Sequence, residues 1–145
     1  MKDEDALTIG NHLCFALYAA SRAFTRAYQP LLEPLGLTYP QYLVCVALWE
    51  RDGRAVNELG TCLALDSGTL TPLLKRLEEH GLVERKRDKA DERVVKIYLT
   101  TAGKALRTKA KRVPFQLAEK IGITDAARIE KLREELVDLT TRLDR

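Results

Sequence analysis

The chain has 145 residues, 46% of them hydrophobic and 31% charged, with a formal net charge of +3 and a pI near 8.8. That is enough chain for one domain with a real core, and the balance excludes disorder. No apolar run approaches the roughly 20 residues of a bilayer span. The acidic start, Met1-Lys2-Asp3-Glu4-Asp5, is not a signal peptide, and three cysteines without CxxC spacing make neither a disulfide framework nor a zinc site. A cytoplasmic protein with no cofactor and no metal is the expectation.

Helical periodicity dominates. Apolar positions from Leu7 through Leu13, Cys14, Leu17, Tyr18 and Phe24 to Tyr28 fit an amphipathic helix that Pro30 and Pro34 end. Thr38-Tyr39-Pro40-Gln41 reads as a helix start, and the run Tyr42 to Trp49 is apolar nearly all round, hence buried. Asp52-Gly53 stops it. A short helix over about 56–63 precedes another over about 67–80, with Leu70, Leu73, Leu74 and Leu77 on one face and Gly81 just beyond its end. Pro72 predicts an irregular first turn or a bend there.

The texture then changes. Residues 82–87 and 94–99 read as two strands joined by a charged loop, Asp88 to Arg93. After Thr100-Thr101-Ala102-Gly103 the helical pattern returns towards Ile121, with a bend at Pro114. A last helix after Thr124 carries Ile129, Leu132, Leu136, Leu139 and Leu143 at the 3-4 spacing of a packing seam. The fold class is therefore mainly α with a small β-hairpin wing: a winged helix-turn-helix. Residues 1–145 form a single domain, with a winged lobe over about 40–100 and flanking helices over about 6–30 and 101–145. So small a lobe cannot bury both flanking stripes, and a homodimer through the terminal helices is the economical solution.

The helix at 67–80 presents Ser67, Thr69, Thr71, Lys75 and Arg76 away from its leucines. Small hydroxyl residues let a helix sit deep in a major groove, and the basic pair lies where phosphates would be. The hairpin adds Arg85, Lys86, Arg87, Lys89 and Arg93, and an arginine at a hairpin tip suits a narrow minor groove. Lys104, Arg107, Lys109, Lys111 and Arg112 extend the basic surface. A charge run alone is usually a solvated face, and Asp88, Asp91 and Glu92 dilute this one. Behind a helix-turn-helix it reads as a surface for double-stranded DNA.

Asp91-Glu92-Arg93, the strand Val94 to Leu99 and Thr100-Thr101-Ala102-Gly103 resemble the wing signature of the MarR family. The resemblance implies a dimeric transcriptional regulator of pseudo-palindromic operators, with Arg93 in the minor groove and Asp91 orienting the wing. Residues 13–18 (LCFALY) and 65–74 (LDSGTLTPLL) are similar to the organic-hydroperoxide-sensing, OhrR-type branch and its thiol-sensing relatives in staphylococci. By that resemblance Cys14 is the redox sensor, Tyr18 hydrogen-bonds it from the same helix, and Tyr28 and Tyr39 do so from the partner subunit. A helix cysteine is more often a small buried hydrophobe, and interface aromatics are common; the tyrosines and the resemblance favour the sensor. Peroxides react with thiolate, and phenols stabilise a thiolate without adding charge. Phe15, Leu17 and Phe24 supply an apolar surround that favours organic hydroperoxides over hydrogen peroxide. Cys45 and Cys62 read as core.

Residues 63–145 hold no cysteine, so the chain resembles the one-cysteine type, whose sulfenic acid persists, over-oxidises or forms a mixed disulfide with a low-molecular-weight thiol. The expected function is a repressor released from its operator when organic hydroperoxide oxidises Cys14. Two recognition helices about 34 Å apart would lose their spacing. Three rivals stand beside it. One is a repressor released by a small aromatic ligand in the cleft between dimer and winged lobes. Another is a thiol peroxidase, for which no second thiol or activating arginine is placed, so that a non-enzyme is expected. The last is a non-specific architectural DNA binder, against which the modest net charge argues.

Overall fold

The first long helix, α1 (Leu13–Leu32), starts later than its periodicity predicts. His12 sits in an extended conformation at its N-cap; before it come a single 3-10 turn, Ile9–Asn11, and, ahead of that, a turn that holds Leu7. The computed structural model describes residues 5–145; the acidic residues 1–4, on which the expectation of a leaderless start mostly rests, lie outside it. Pro30 does not end α1 but sits in its last turn. There its missing N–H removes only one intrahelical bond, on an exposed flank. The stop comes from a 3-10 turn containing Pro34 and from Gly36, whose φ of 69° is left-handed.

Thr38 caps α2 (Tyr39–Glu50) through a reciprocal pair. The Gln41 N–H donates to Thr38 Oγ1 at 3.4 Å and the Thr38 N–H donates to Gln41 Oε1 at 3.0 Å. Gln41 is the one buried polar residue among those described, and this capping box satisfies it. As the apolar run predicts, α2 is buried nearly all round, through Tyr42, Val44, Cys45, Ala47 and Leu48. A short strand that the sequence reading did not contain, β1 (Arg54–Ala55), leads into α3 (Val56–Leu63) and α4 (Ser67–Glu79). Two residues are too few to show alternation, which is why β1 left no signal.

Asp66 caps α4 by accepting from the Thr69 N–H at 2.7 Å. Contrary to the expected irregular turn, α4 runs unbroken through Pro72. Leu70, Leu74 and Leu77 are fully buried and fix the helix against α2 and α3. Gly81, at φ 73°, takes the C′ position expected of it. Its N–H reaches the Glu78 carbonyl at 2.9 Å, and the Leu82 N–H reaches that of Leu77 at 3.0 Å. The antiparallel sheet has strand order β1-β3-β2, with β2 (Val83–Arg87) and β3 (Val95–Leu99) forming the wing.

Thr100 joins the wing to α5 (Thr101–Ala110). Its hydroxyl donates to the Gly81 carbonyl at 2.6 Å and accepts from the Gly103 N–H at 3.1 Å, while its N–H donates to the Leu82 carbonyl at 3.0 Å. The expected bend at Pro114 is a break: α5 ends at Ala110, and α6 (Val113–Ile121) begins anew with Pro114 in its first turn. The chain divides into two compact units, one ending at Val113 and one spanning Pro114–Arg145. The second contains most of α6 and all of α7 (Ala126–Leu143), which Asp125 caps and which leaves Ile129, Leu132, Leu136 and Val137 exposed.

A Cβ at Gly103 would stand 2.1 Å from the Leu82 carbonyl oxygen, whereas one at Gly10 meets nothing within 4 Å. Gly103→Ala should cost about 1–3 kcal/mol or more through overpacking, lowering Tm by about 3–10 °C. Gly10→Ala should leave Tm unchanged. Thermal unfolding followed by circular dichroism checks both.

Candidate functional site

Two surfaces carry the chemistry-bearing residues. On α4, Ser67, Thr69, Thr71, Lys75 and Arg76 are all exposed on the side away from Leu70, Leu74 and Leu77. The helix therefore offers short hydroxyls along its first turns and cations further on.

The wing sorts its charges by the two-residue period of a strand. Val83, Arg85 and Arg87 pair with Leu99, Ile97 and Val95, while Glu84 and Lys86 pair with Tyr98 and Lys96. Val83, Ile97 and Leu99 are buried, so the first set is the inward face. Lys86 lies 5.4 Å over the Tyr98 ring on the outward face and pairs with Glu84 at 3.5 Å. Arg85 makes a two-nitrogen ion pair with Glu78, and Arg87 donates to the Glu92 carbonyl at 2.8 Å. Within the loop the Asp91 carboxylate accepts from Arg93 three times: from its backbone N–H at 3.1 Å, from Nε at 3.1 Å and from Nη2 at 3.2 Å. The Arg93 side chain is nonetheless 90% exposed. Asp91 thus aims a guanidinium outward without covering it, and that guanidinium holds the carboxyl below its ordinary range.

The second surface is α1. Cys14 is exposed, as are Leu13, Phe15, Tyr18 and Phe24 of the same helix, an apolar surface that none of the described residues covers. Tyr18 follows Cys14 by one helical turn, and the Arg22 guanidinium lies 5.3 Å from its ring. Tyr28 and Tyr39 do meet, with ring centroids 4.6 Å apart, and Tyr42 lies 5.7 Å from Tyr28. They do not meet Cys14 within one chain. Fourteen residues of α1 separate Cys14 from Tyr28, about 21 Å along the axis. Burial, then the neighbouring Tyr39 and Tyr42, push the Tyr28 phenol up to about 12. Burial raises Tyr39 as well. Both stay neutral hydrogen-bond donors.

The other thiols divide. Cys45 is fully buried in the core of α2, as expected, and burial pushes it up to about 12. Cys62 is not core: it is exposed. Val56, Leu59, Gly60 and Leu63 form the inward stripe of α3, and Cys62 falls on its flank, which adjacency to Leu59 and Leu63 in sequence concealed. Sequence reasoning also missed Asp52, whose carboxylate accepts from the Leu99 N–H at 2.9 Å and the Gly53 N–H at 3.0 Å and so moors β3. Trp49, which donates to the Gly103 carbonyl at 2.9 Å, was missed too. Asp-Gly had marked only the helix stop. Among the described residues no three His, Cys, Asp or Glu side chains could share a metal ion, and no single helix is long and apolar enough to cross a membrane.

A three-helix core, a helix-turn-helix and an arginine-tipped wing define the winged-helix class. The family described as "Transcriptional regulator SarA/Rot" matches residues 26–110, and the chain belongs to that family, one of regulators rather than enzymes. An organic hydroperoxide resistance transcriptional regulator of Bacillus subtilis (strain 168) is 52% identical over 110 residues, covering 76% of this chain and 75% of that protein. The HTH-type transcriptional regulator TtmR of Methylorubrum extorquens (strain PA1) is 52% identical over 121 residues, or 83% of this chain; the match spans only 62% of that relative's length. Among solved structures, reduced AbfR bound to DNA has a TM-score of 0.81 at 36% identity and full coverage of both chains. Overoxidized AbfR bound to DNA gives 0.79 at 35%, covering 99% and 100%; AbfR is also described from Staphylococcus epidermidis.

Cys45 has an ordinary value of 9.0 and a folded value of about 12. Its neutral form favours the fold, so its contribution is complete below pH 9 and is lost as pH rises towards 12. Urea midpoints between pH 8 and 11 should fall with pH, and Cys45→Ala should flatten that fall whatever its effect at pH 7.

Proposed function

We propose that the chain is a cytoplasmic, homodimeric DNA-binding repressor, released from a pseudo-palindromic operator when an organic hydroperoxide oxidises Cys14. The observation that carries this reading is the setting of the thiol: Cys14 stands on an exposed apolar helix face that water disfavours. A second copy is the cover of least cost. It would bury this face and the α7 stripe, and lay its Tyr28–Tyr39 pair over the thiol from outside the chain. Tyr18 from the same helix completes three neutral donors to a thiolate.

The Cys14 thiolate attacks a peroxide oxygen, an S–O bond forms as the O–O bond breaks, and the alkoxide leaves and takes a proton. The sulfur is oxidised by two electrons to sulfenic acid. Condensation with a low-molecular-weight thiol then forms a mixed disulfide and expels water. AbfR is described on DNA in both reduced and overoxidized states, so release in this chain is assigned to the bulkier adduct. Switching from 1:99 to 99:1 takes about 5.5 kcal/mol. A lost hydrogen bond supplies about 1 kcal/mol, whereas an adduct wedged into a packed interface in both subunits supplies more.

On DNA, Ser67, Thr69 and Thr71 would enter the major groove while Lys75, Arg76, Lys86 and Arg87 meet phosphates. Arg93, aimed by Asp91, would enter the minor groove. α5 adds Lys104, Arg107 and Lys109 to the same electrostatic footprint.

Gel shifts before and after stoichiometric cumene hydroperoxide plus a small thiol test the switch. Wild type should release DNA and Cys14→Ser should hold it. Release of the serine variant as readily as wild type sinks the sensor reading. Arg93→Ala should weaken binding about tenfold, and unchanged affinity would remove the wing from the interface.

A second reading has one observation behind it. A cavity of about 580 Å³ is lined by Thr25, Arg26, Gln29, Tyr39, Arg76 and His80 among others, and bridges α1 and α4. A small aromatic acid seated there would release DNA from Cys14→Ser as well as from wild type.

A further inference from the structure

Arg85 lies in the basic hairpin, but its surroundings differ from those of its neighbours. It pairs in register with Ile97, which is fully buried, so its side chain leaves the inward face of the wing. There it meets Glu78, in the last turn of α4. Glu78 Oε1 accepts from Arg85 Nε at 3.3 Å and from Nη2 at 3.1 Å, and Glu78 Oε2 accepts from the Arg85 backbone N–H at 3.1 Å. Both carboxylate oxygens are used, and two of the guanidinium's three nitrogens. Only 37% of the Arg85 side chain is exposed, against 62% for Lys86 and 90% for Arg93.

The three bonds cross the left-handed turn at Gly81 and tie the end of the reading helix to the first strand of the wing. A planar fork against a carboxylate fixes an angle as well as a distance. We propose that Glu78 and Arg85 are positioning residues, which lock α4 and the wing into one rigid reading head, and that Arg85 does not contact phosphate. This rests on the DNA-binding reading above. It explains why an acidic residue stands between two surfaces that would otherwise gain from positive charge alone: the carboxylate costs attraction and supplies alignment.

The test uses the full-length reduced protein and a duplex that wild type selects from a random 30-base-pair pool, read by fluorescence anisotropy across a salt series. Arg85→Lys keeps the charge and loses the fork, and Glu78→Gln removes a negative charge near the DNA. If the pair positions the wing, both variants weaken binding, each by about fivefold. The slope of log K against log salt stays at the wild-type value, and combining Glu78→Gln with Arg85→Gln is no worse than either alone.

Three results would overturn the proposal: tighter binding by Glu78→Gln, wild-type affinity in Arg85→Lys, or a slope reduced by about 0.9 in Arg85→Gln, the signature of one lost phosphate contact. Circular dichroism at the assay temperature confirms that each variant is folded. Failure of wild type to select any duplex would instead sink the DNA-binding reading itself.

Discussion

The Leu82 carbonyl is the point on which the winged unit turns. It accepts from the Thr100 N–H and lies so close to α5 that only a glycine fits opposite it, at position 103. Around it converge the Schellman turn that ends α4, the start of the wing, the cap of α5 and, through the Trp49 indole, the buried helix α2. A shift at this junction would move the reading helix, the wing and α5 against one another. The adjacent mooring of Leu99 by Asp52 fixes the other strand of the wing to the end of α2. Backbone-to-side-chain bonds of this kind constrain direction more sharply than apolar contacts, which are indifferent to small rotations.

Legibility followed the physics of each element. α2 and α4 were plain because capping residues, apolar stripes and a C′ glycine all agreed. The wing was plain because strand alternation replaced helical period within a few residues. β1 was invisible because two residues carry no period. The late start of α1 was invisible because Leu7 continues an apolar pattern that the backbone does not follow, and α6 was hidden inside a run that Pro114 seemed only to bend. Cys62 misled because adjacency in sequence to Leu59 and Leu63 stood in for position on the helix.

The candidate site was legible as a list of residue types and less so as an arrangement. Cys14, Tyr18, Tyr28 and Tyr39 could be named, but their separation into two groups on one chain follows from the length of α1. The hairpin's cations formed one cluster in sequence and split into two faces in space, with different partners on each. Glu78 gave no sequence signal at all, since an acidic residue near a helix end is ordinary; only its seven-residue reach across a tight turn gives it a role.

The half-buried phenols of Tyr28 and Tyr39 have a consequence of another kind. Because burial holds their protons well above neutrality, their donor count does not change across the physiological range. A histidine in either place would gain and lose a proton between pH 5 and 8, and in the proposed dimer the thiol would then answer to acidity as well as to oxidant. In the dimer proposed above, phenol donors would leave the response of the thiol to oxidant independent of metabolic acid.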